Sequence, residues 1–187
     1  MAGARFRGVL LSLLAATAVS GCSEDPNSPA PLQATASSSI ACIRSQGYQH
    51  PTLGYQLCFP DGWTSRDYTA EPGGGGAVSV VAFGPATEVP PQVPASGSYI
   101  PPIVIRVVGS PKAQVEGSLA FGNQVTKTSV AGIAADRILV TDSGPAHGAV
   151  IIVVEHQAYT FEIAEAPGVT YDAALQQMLD TFSFPPS

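Results

Sequence analysis

The sequence predicts an α+β domain built on an antiparallel sheet of about six to seven strands. Three observations lead to this prediction. The second half of the chain contains strand-like segments separated by short turns, over residues 124–164. The first half contains further runs of β-branched and aromatic residues, and the chain closes with a segment of helical period over 170–182. Consecutive strands joined by short turns pair with each other, so the second half is expected to form an antiparallel meander.

In the first half, strands are predicted at 54–59, 77–83 and 103–108. The first of them, GYQLCF, alternates, with Tyr55, Leu57 and Phe59 on one face. A Pro-Asp-Gly turn and a tryptophan follow at 60–63. The segment 84–102 is too rich in proline for a strand or a helix, and we expect a long surface loop there.

In the second half, strands are predicted at 124–130, 134–141, 147–156 and 158–164. The run AVIIVV at 149–154 is apolar at every position, so this strand should be covered on both faces. A short helix is expected at 112–121, although Gly117 and Gly122 weaken it. The last helix shows one apolar stripe, formed by Tyr171, Leu175, Met178, Leu179 and Phe182.

The amino terminus has the pattern of an export signal. Arg5 and Arg7 precede an apolar core at 9–19, which is shorter than the roughly 20 residues of a membrane span. The stretch 19–22, Val-Ser-Gly-Cys, resembles the bacterial lipobox. The resemblance implies a thioether-linked diacylglycerol on Cys22, cleavage before it, and stable anchoring once more than one acyl chain, such as palmitate, is attached. An ordinary secretory signal with an incidental cysteine is the alternative.

These features divide the chain into three parts: a signal peptide at 1–21, the lipidated Cys22 with a tether at 22–40, and a single globular domain at 41–187. The tether is rich in Ser, Pro and Ala and should behave as a flexible coil with a reach of roughly 20–25 Å. Without the signal peptide, six basic residues face fourteen acidic ones, a formal charge of −8. This balance argues against nucleic-acid binding and against docking on anionic lipid through a basic patch.

Two cysteines remain in the mature domain, Cys42 and Cys58. An exported chain sits in an oxidising compartment, so a disulfide between them is favoured over two buried free thiols. Loop closure of this length is worth about 3 kcal/mol. We predict no metal site, because no CxxC motif occurs and His50, His147 and His156 lack the close ligand spacing of zinc sites.

A family resemblance emerges from these segments. The stretch 54–63 follows the pattern GYxLxFPxGW, which resembles the opening of PsbP-like domains, including the LpqN-type lipoproteins of actinobacteria. The segment VAGIAADRI, the hairpin VIIVVEHQAYTFEIA and a last helix running into FSF follow in the same order. The resemblance implies an antiparallel sheet packed between helices, an α/β/α sandwich. It implies accessory or binding roles, and it carries over no catalytic residues.

Several residue patterns could indicate a functional site, but each also has a simpler structural explanation. The glycine run at 73–76 lacks the strand-GxxxxGK[ST]-helix context of a phosphate-binding loop, and no GxSxG nucleophile elbow occurs. The pair Asp136 and Arg137 is expected to form a cross-strand ion pair on an exposed face, with a substrate clamp as the alternative. His147 and His156 bracket a buried strand and should lie at its solvent-exposed ends. A further group of aromatic residues is either a ligand pocket or part of the core: Tyr48, Tyr55, Phe59 and Trp63.

The sequence therefore predicts a lipid-anchored bacterial envelope protein that acts as a non-catalytic accessory or binding module. Its domain lies outside the cytoplasm, it needs no cofactor, and its partner is an envelope protein with a neutral or basic surface that contacts the loop 84–102. Two alternatives stay open. One is a small envelope hydrolase using His147 or His156, and the other is a carrier that holds an apolar ligand between sheet and helix.

Overall fold

The computed structural model describes residues 41–71, 75–94, 99–141, 144, 146–168 and 171–186, and Cys22 and the tether lie outside these ranges. The described residues are mostly antiparallel strands, with two helices. In chain order the elements are β1 Ser45–Gln49, β2 Gln56–Pro60, β3 Trp63–Asp67, β4 Ser79–Pro85, β5 Ile103–Val108, α1 Lys112–Leu119, β6 Gln124–Val130, β7 Ile133–Leu139, β8 Val150–His156, β9 Tyr159–Glu165 and α2 Asp172–Thr181. Among them, no helix is long and apolar enough to span a membrane.

Seven strands form one sheet in the order β3-β4-β5-β9-β8-β7-β6, and every neighbouring pair is antiparallel. The sheet consists of two meanders, β3 to β5 and β6 to β9, which meet where β5 pairs with β9. Helix α1 connects the two meanders. Strands β1 and β2 form a separate antiparallel hairpin. The predicted α+β class and the meander of the second half are confirmed.

The inner face of the sheet packs against the β1–β2 hairpin and helix α2. Strand β2 is held to the end of α2 because the Cys58 N–H donates to Thr181 Oγ1 at 2.9 Å. Gln56 and Ser183 also exchange backbone hydrogen bonds of 2.9 and 2.8 Å. The core at this face includes Tyr55, Leu57, Phe59, Val81, Phe83, Ile105, Ile152, Val154, Phe161, Ile163, Leu175, Met178 and Phe182. The apolar stripe predicted for the last helix therefore covers the sheet.

The outer face of the sheet is covered by two smaller elements. Helix α1 packs over β7 and β8, where Val115 contacts a cluster containing Ile138 and Val153. The proline-rich loop packs over β4, where Val89 joins Tyr68 and Ala82. Strand β8 is thus covered on both faces, as its continuous apolar run predicted. The sheet does lie between helices, but each helix shares its face with a non-helical element.

Close packing of the loop depends on Gly84 in β4. A Cβ at this position would lie 2.6 Å from Cγ of Pro102 and 3.0 Å from Cγ2 of Val89. Contacts this short require a backbone or ring shift, because neither neighbour is the far end of a flexible side chain. The glycine therefore lets the two ends of the loop approach the sheet.

Gly84→Ala is expected to lower the free energy of unfolding by about 1–3 kcal/mol through overpacking. The matched control is Gly117→Ala in α1, where an added Cβ would meet nothing within 4 Å. Because alanine is the better helix former, this control should raise stability by about 0.5–1 kcal/mol. Urea denaturation measures both. An unchanged midpoint for Gly84→Ala would mean that the loop does not pack on β4 as described.

Candidate functional site

The structure contains the disulfide predicted between Cys42 and Cys58. The sulfurs are 1.95 Å apart and the Cα atoms 5.7 Å apart. Cys58 lies in the centre of β2, so the bond fastens the segment before β1 to the inner layer of the fold. The lipidation predicted at Cys22 falls outside the described residues and stays a prediction.

The four aromatic residues proposed as a pocket or as core lie in or against the main core. Tyr55 and Phe59 are buried in the main core, and Tyr48 packs edge-on to Phe83 with ring centroids 5.2 Å apart. Trp63, at the start of β3, packs against the same core and lies edge-on to Tyr171 with ring centroids 5.4 Å apart. All four residues therefore contribute to packing at the inner face of the sheet.

Tyr55 is at the centre of this aromatic packing. Its ring stacks on Phe182 at 5.5 Å with an interplanar angle of 8°, and it meets Phe161 edge-on at 5.6 Å. Its side chain has no exposed surface. The hydroxyl is buried beside Tyr48 and Ser79, and burial raises the pKa of Tyr55 well above its usual value.

A buried Ser–His pair, which the sequence did not indicate, lies beside Tyr55. His50 follows β1 and Ser79 begins β4, and they are 6 % and 1 % exposed. The backbone N–H groups of Thr52 and Leu53 donate to His50 Nδ1 at 3.2 and 3.0 Å. Because Nδ1 is an acceptor, the ring proton is on Nε2, which donates to Ser79 Oγ at 2.9 Å.

The hydrogen bond between His50 and Ser79 runs in the wrong direction for nucleophilic catalysis. A catalytic base must accept the serine proton through one ring nitrogen while a partner orients the other. Here Nε2 donates to the serine, Nδ1 is occupied by two backbone donors, and the serine oxygen is buried. The pair instead joins the β1–β2 hairpin to the main sheet. No local sequence pattern predicts this pair, because His50 and Ser79 come together only in the folded chain.

Acidification is expected to weaken the fold through His50. Burial lowers the pKa of His50 below its ordinary value of 6.5. In the unfolded chain His50 has its ordinary pKa and binds a proton more readily than in the folded protein. The contribution of neutral His50 to the free energy of unfolding is therefore fully present above pH 6.5 and is lost as the pH falls. Chemical denaturation of the parent and of His50→Gln at several pH values from about 7 to 5 measures this loss of unfolding free energy. The parent should lose more stability than the variant, and equal losses would contradict the role of His50.

Asp136 forms a cross-strand ion pair as expected, with the directly opposite Lys127 of β6, but the expected exposed face is wrong because Asp136 is buried. Its carboxylate is buried under α1, where Lys112 Nζ lies 2.7 Å away and Lys127 Nζ 2.5 Å away. Lys112 also contacts Glu116 at 3.2 Å. The hydrogen bond with Glu116, followed by those with Lys112 and Lys127, holds the pKa of Asp136 well below its usual range. The cluster therefore ties α1 and the edge strand β6 to the outer face of β7.

His147, in the turn before β8, and His156, the last residue of β8, differ in environment. His147 is exposed, as expected. His156 is partly buried, with its ring stacked on Phe184 at 4.3 Å and its Nε2 atom inaccessible to solvent. Within the described ranges, no group of three His, Cys, Asp or Glu side chains is arranged to hold a metal ion. The structure therefore offers the hydrolase alternative little support at His156.

Two open recesses mark the outer side of the molecule. One, of about 260 Å³, lies between α1 and the sheet, with the Arg106–Glu162 ion pair on one side and Val115 on the other. This volume is below the usual range for small-molecule pockets, which starts at about 300 Å³. The other, of about 360 Å³, belongs to the proline-rich loop. It is lined by Thr87, Glu88, Pro90, Pro94, Tyr99, Ile100 and Pro102.

Three tyrosine hydroxyls hold the described part of this loop in place. Tyr68 donates to the carbonyl of Pro90, and Tyr99 donates to the carbonyl of Glu88 at 2.7 Å. Tyr171, next to α2, donates to Glu88 Oε2 at 2.5 Å. The hydrogen bond to Glu88 raises the pKa of Tyr171 to about 12. The described part of the loop thus has defined contacts to β4, to Tyr68 after β3 and to Tyr171 before α2.

Comparison with known proteins yields a structural likeness. No family model matches the sequence, and no curated protein matches it. The chain is similar to the solution structure of cyanobacterial PsbP (CyanoP) from Synechocystis sp. PCC 6803, with 15% sequence identity and a TM-score of 0.41. The match covers 77% of this chain and 95% of that one. The LpqN-type relationship stays a prediction.

Proposed function

We propose that this protein is an exported, lipid-anchored envelope protein whose domain is a non-catalytic binding or accessory module. The anchor is proposed from the sequence: a short apolar core, the lipobox-like stretch 19–22 and a flexible tether before the domain. Two acyl chains or more give stable attachment to a membrane. The tether lets the domain stand off the membrane and meet a partner.

The proline-rich loop is the observation that best supports a binding role. Its three tyrosine hydrogen bonds hold the described residues around the recess of about 360 Å³, whose rim includes the exposed Thr87, Pro94 and Ile100. A surface that is already ordered loses less conformational entropy when it binds. Tyrosine is also enriched at protein interfaces. The mature chain is strongly acidic, so the proposed partner presents a neutral or basic surface.

The polar side chains of the core favour binding over catalysis. His50 and Ser79 form a Ser–His hydrogen bond, and both residues are buried. The ring proton of His50 is on Nε2, the atom that faces the serine, so His50 cannot accept the serine proton there. Asp136 and its lysines are engaged in holding α1. A reactive group needs access to a substrate and a free proton acceptor.

Photocrosslinking in native envelopes tests the proposed role. A photoreactive residue at Thr87, on the rim of the recess, should capture a defined envelope protein, whereas one at Ala113 on the exposed side of α1 should not. The capture should weaken in Tyr99→Phe, which removes the hydrogen bond to Glu88, and at high salt. Equal capture from both positions would contradict the loop as the contact surface. Substrate turnover that disappears in a folded His147→Ala variant would overturn the non-catalytic assignment.

A further inference from the structure

Strand β6 is an edge of the seven-stranded sheet, and within the part of the chain that the structure describes no strand pairs with its outer side. It pairs with β7 on one side, and six of its seven residues are exposed. The opposite edge strand, β3, is in contact with the hairpin. The side chain of Gln46 in β1 donates to the carbonyl of Trp63 in β3 at 3.2 Å. An edge strand presents a row of backbone N–H and C=O groups that another strand can pair with.

The turn after β6 shows which backbone groups face outward. Val130 pairs with Ile133 across a two-residue turn at Ala131 and Gly132, whose φ values are 50° and 77°. Positive φ at both positions defines a type I′ hairpin turn, in which the first flanking residue accepts a hydrogen bond from the second. Because pairing alternates along an antiparallel strand, Val130 faces β7 while Val125, Lys127 and Ser129 direct their N–H and C=O groups away from the sheet.

The usual protections of an edge are weak along β6. The strand contains no proline, and its register with β7 is continuous over seven pairs without a bulge. Lys127 is its one charged residue, and the ammonium group is engaged with Asp136 at 2.5 Å. Val125 is 42 % exposed. The strand also contains none of the chain's fourteen acidic residues, so two copies can approach here without the repulsion expected elsewhere on the acidic surface.

We propose that β6 pairs antiparallel with β6 of a second copy, so that the two sheets join into one across a two-fold axis. This interface goes beyond the proposed binding role and does not depend on it. With the axis perpendicular to the sheet, side chains keep their faces, and one residue of β6 must lie opposite itself. The outward groups of each strand then complete the hydrogen bonds that the edge leaves open.

The side chains select the register with Thr126 opposite Thr126 of the second copy. A register centred on Lys127 would place two like charges directly opposite each other. Centring on Thr128 would leave the exposed Val125 opposite the turn. Centring on Thr126 forms a favourable Thr–Thr pair and places Val125 against the aliphatic stem of Lys127. In this register Val125 and Lys127 use their outward backbone groups.

Cysteine crosslinking tests the interface and its register together. In the full chain carrying Cys22→Ala, which removes the lipidated thiol, Thr126→Cys should form a disulfide-linked dimer under mild oxidation. Opposed Cβ atoms of such a pair are about 4.5–5.5 Å apart. Thr128→Cys is the matched control, since it is an exposed threonine of the same strand and face. In the proposed register its two copies lie about 13 Å apart along the strands. Equal crosslinking of both variants, or of neither, would overturn the proposal.

Molar mass in solution gives the second measurement. The Cys22→Ala chain should have twice its monomer mass by light scattering, and Val125→Pro should have the monomer mass with unchanged circular dichroism. Proline at this position removes an outward N–H and no bond to β7. Val125→Ala retains the N–H and should remain a dimer. A monomeric Cys22→Ala chain at its highest soluble concentration, or a dimeric Val125→Pro variant, would contradict pairing through β6.

Discussion

Tyr55→Ala is expected to lower the free energy of unfolding by about 3–5 kcal/mol, the range for removing a large buried aromatic side chain. Tyr55 has no exposed surface and contacts Phe182 by stacking and Phe161 edge-on. It joins the β1–β2 hairpin, β9 and the residue that follows α2. The substitution therefore leaves a cavity where three parts of the inner layer meet. Chemical denaturation monitored by the single tryptophan measures the loss.

Tyr55→Phe separates the ring from its hydroxyl. The hydroxyl is buried beside Tyr48 and Ser79, and its removal leaves the ring contacts with Phe182 and Phe161 in place. We expect this variant to lose no more than about 1 kcal/mol, the net contribution of one hydrogen bond. If Tyr55→Phe instead costs as much as Tyr55→Ala, the hydroxyl contributes the stabilisation and the packing argument is wrong.

Asp136→Ala is expected to cost about 3 kcal/mol, at the lower end of the range for breaking a buried ion pair. The carboxylate is buried and neutralises Lys112, whose side chain is 18 % exposed. The loss stays at the lower end because Lys112 keeps its contact with Glu116 at 3.2 Å. Helix α1 should consequently loosen from the sheet, which amide hydrogen exchange of α1 detects together with the fall in global stability.

Lys127→Ala is the control for this cluster. Its side chain is 85 % exposed, so loss of its ion pair with Asp136 should cost about 0–1 kcal/mol. The lowered pKa of Asp136 also determines how its contribution to the free energy of unfolding changes with pH. Its stabilisation is present above the ordinary value of 3.8 and is lost as the pH falls, so Asp136→Ala should show a shallower acid transition than the parent. Equal costs for Asp136→Ala and Lys127→Ala would mean that burial does not determine the strength of the cluster.

The elements that the sequence predicted best are those with a clear hydrophobic period. Strand β5 and strand β6 have the predicted bounds, and β8 is buried on both faces as its apolar run required. Strands β1 and β3 were not predicted. Their sequences, SQGYQ and WTSRD, contain glycine or mainly polar residues and give no alternating apolar signal. Pairing with β2 and β4 makes them strands, and tertiary context of this kind is invisible in a local window.

The polar sites escaped sequence reasoning for a related reason. His50 and Ser79 are 29 residues apart, with His50 after β1 of the hairpin and Ser79 at the start of β4 in the main sheet, so no spacing connects them. Asp136 was expected on an exposed face because cross-strand ion pairs usually lie there. Its burial follows from the position of α1, which covers β7 only in the folded chain. Charged residues become buried where a partner such as Lys112 arrives from a distant element.

Intact mass spectrometry of the protein purified from bacterial membranes tests the central proposal, lipid anchoring at Cys22, most directly. The mature chain should begin at Cys22 and carry the added mass of a diacylglycerol, with further acylation where the host provides it. Cys22→Ala should accumulate as an unprocessed or soluble form with the same fold by circular dichroism. A mature chain that begins elsewhere, or that carries Cys22 unmodified in the membrane fraction, would contradict the account.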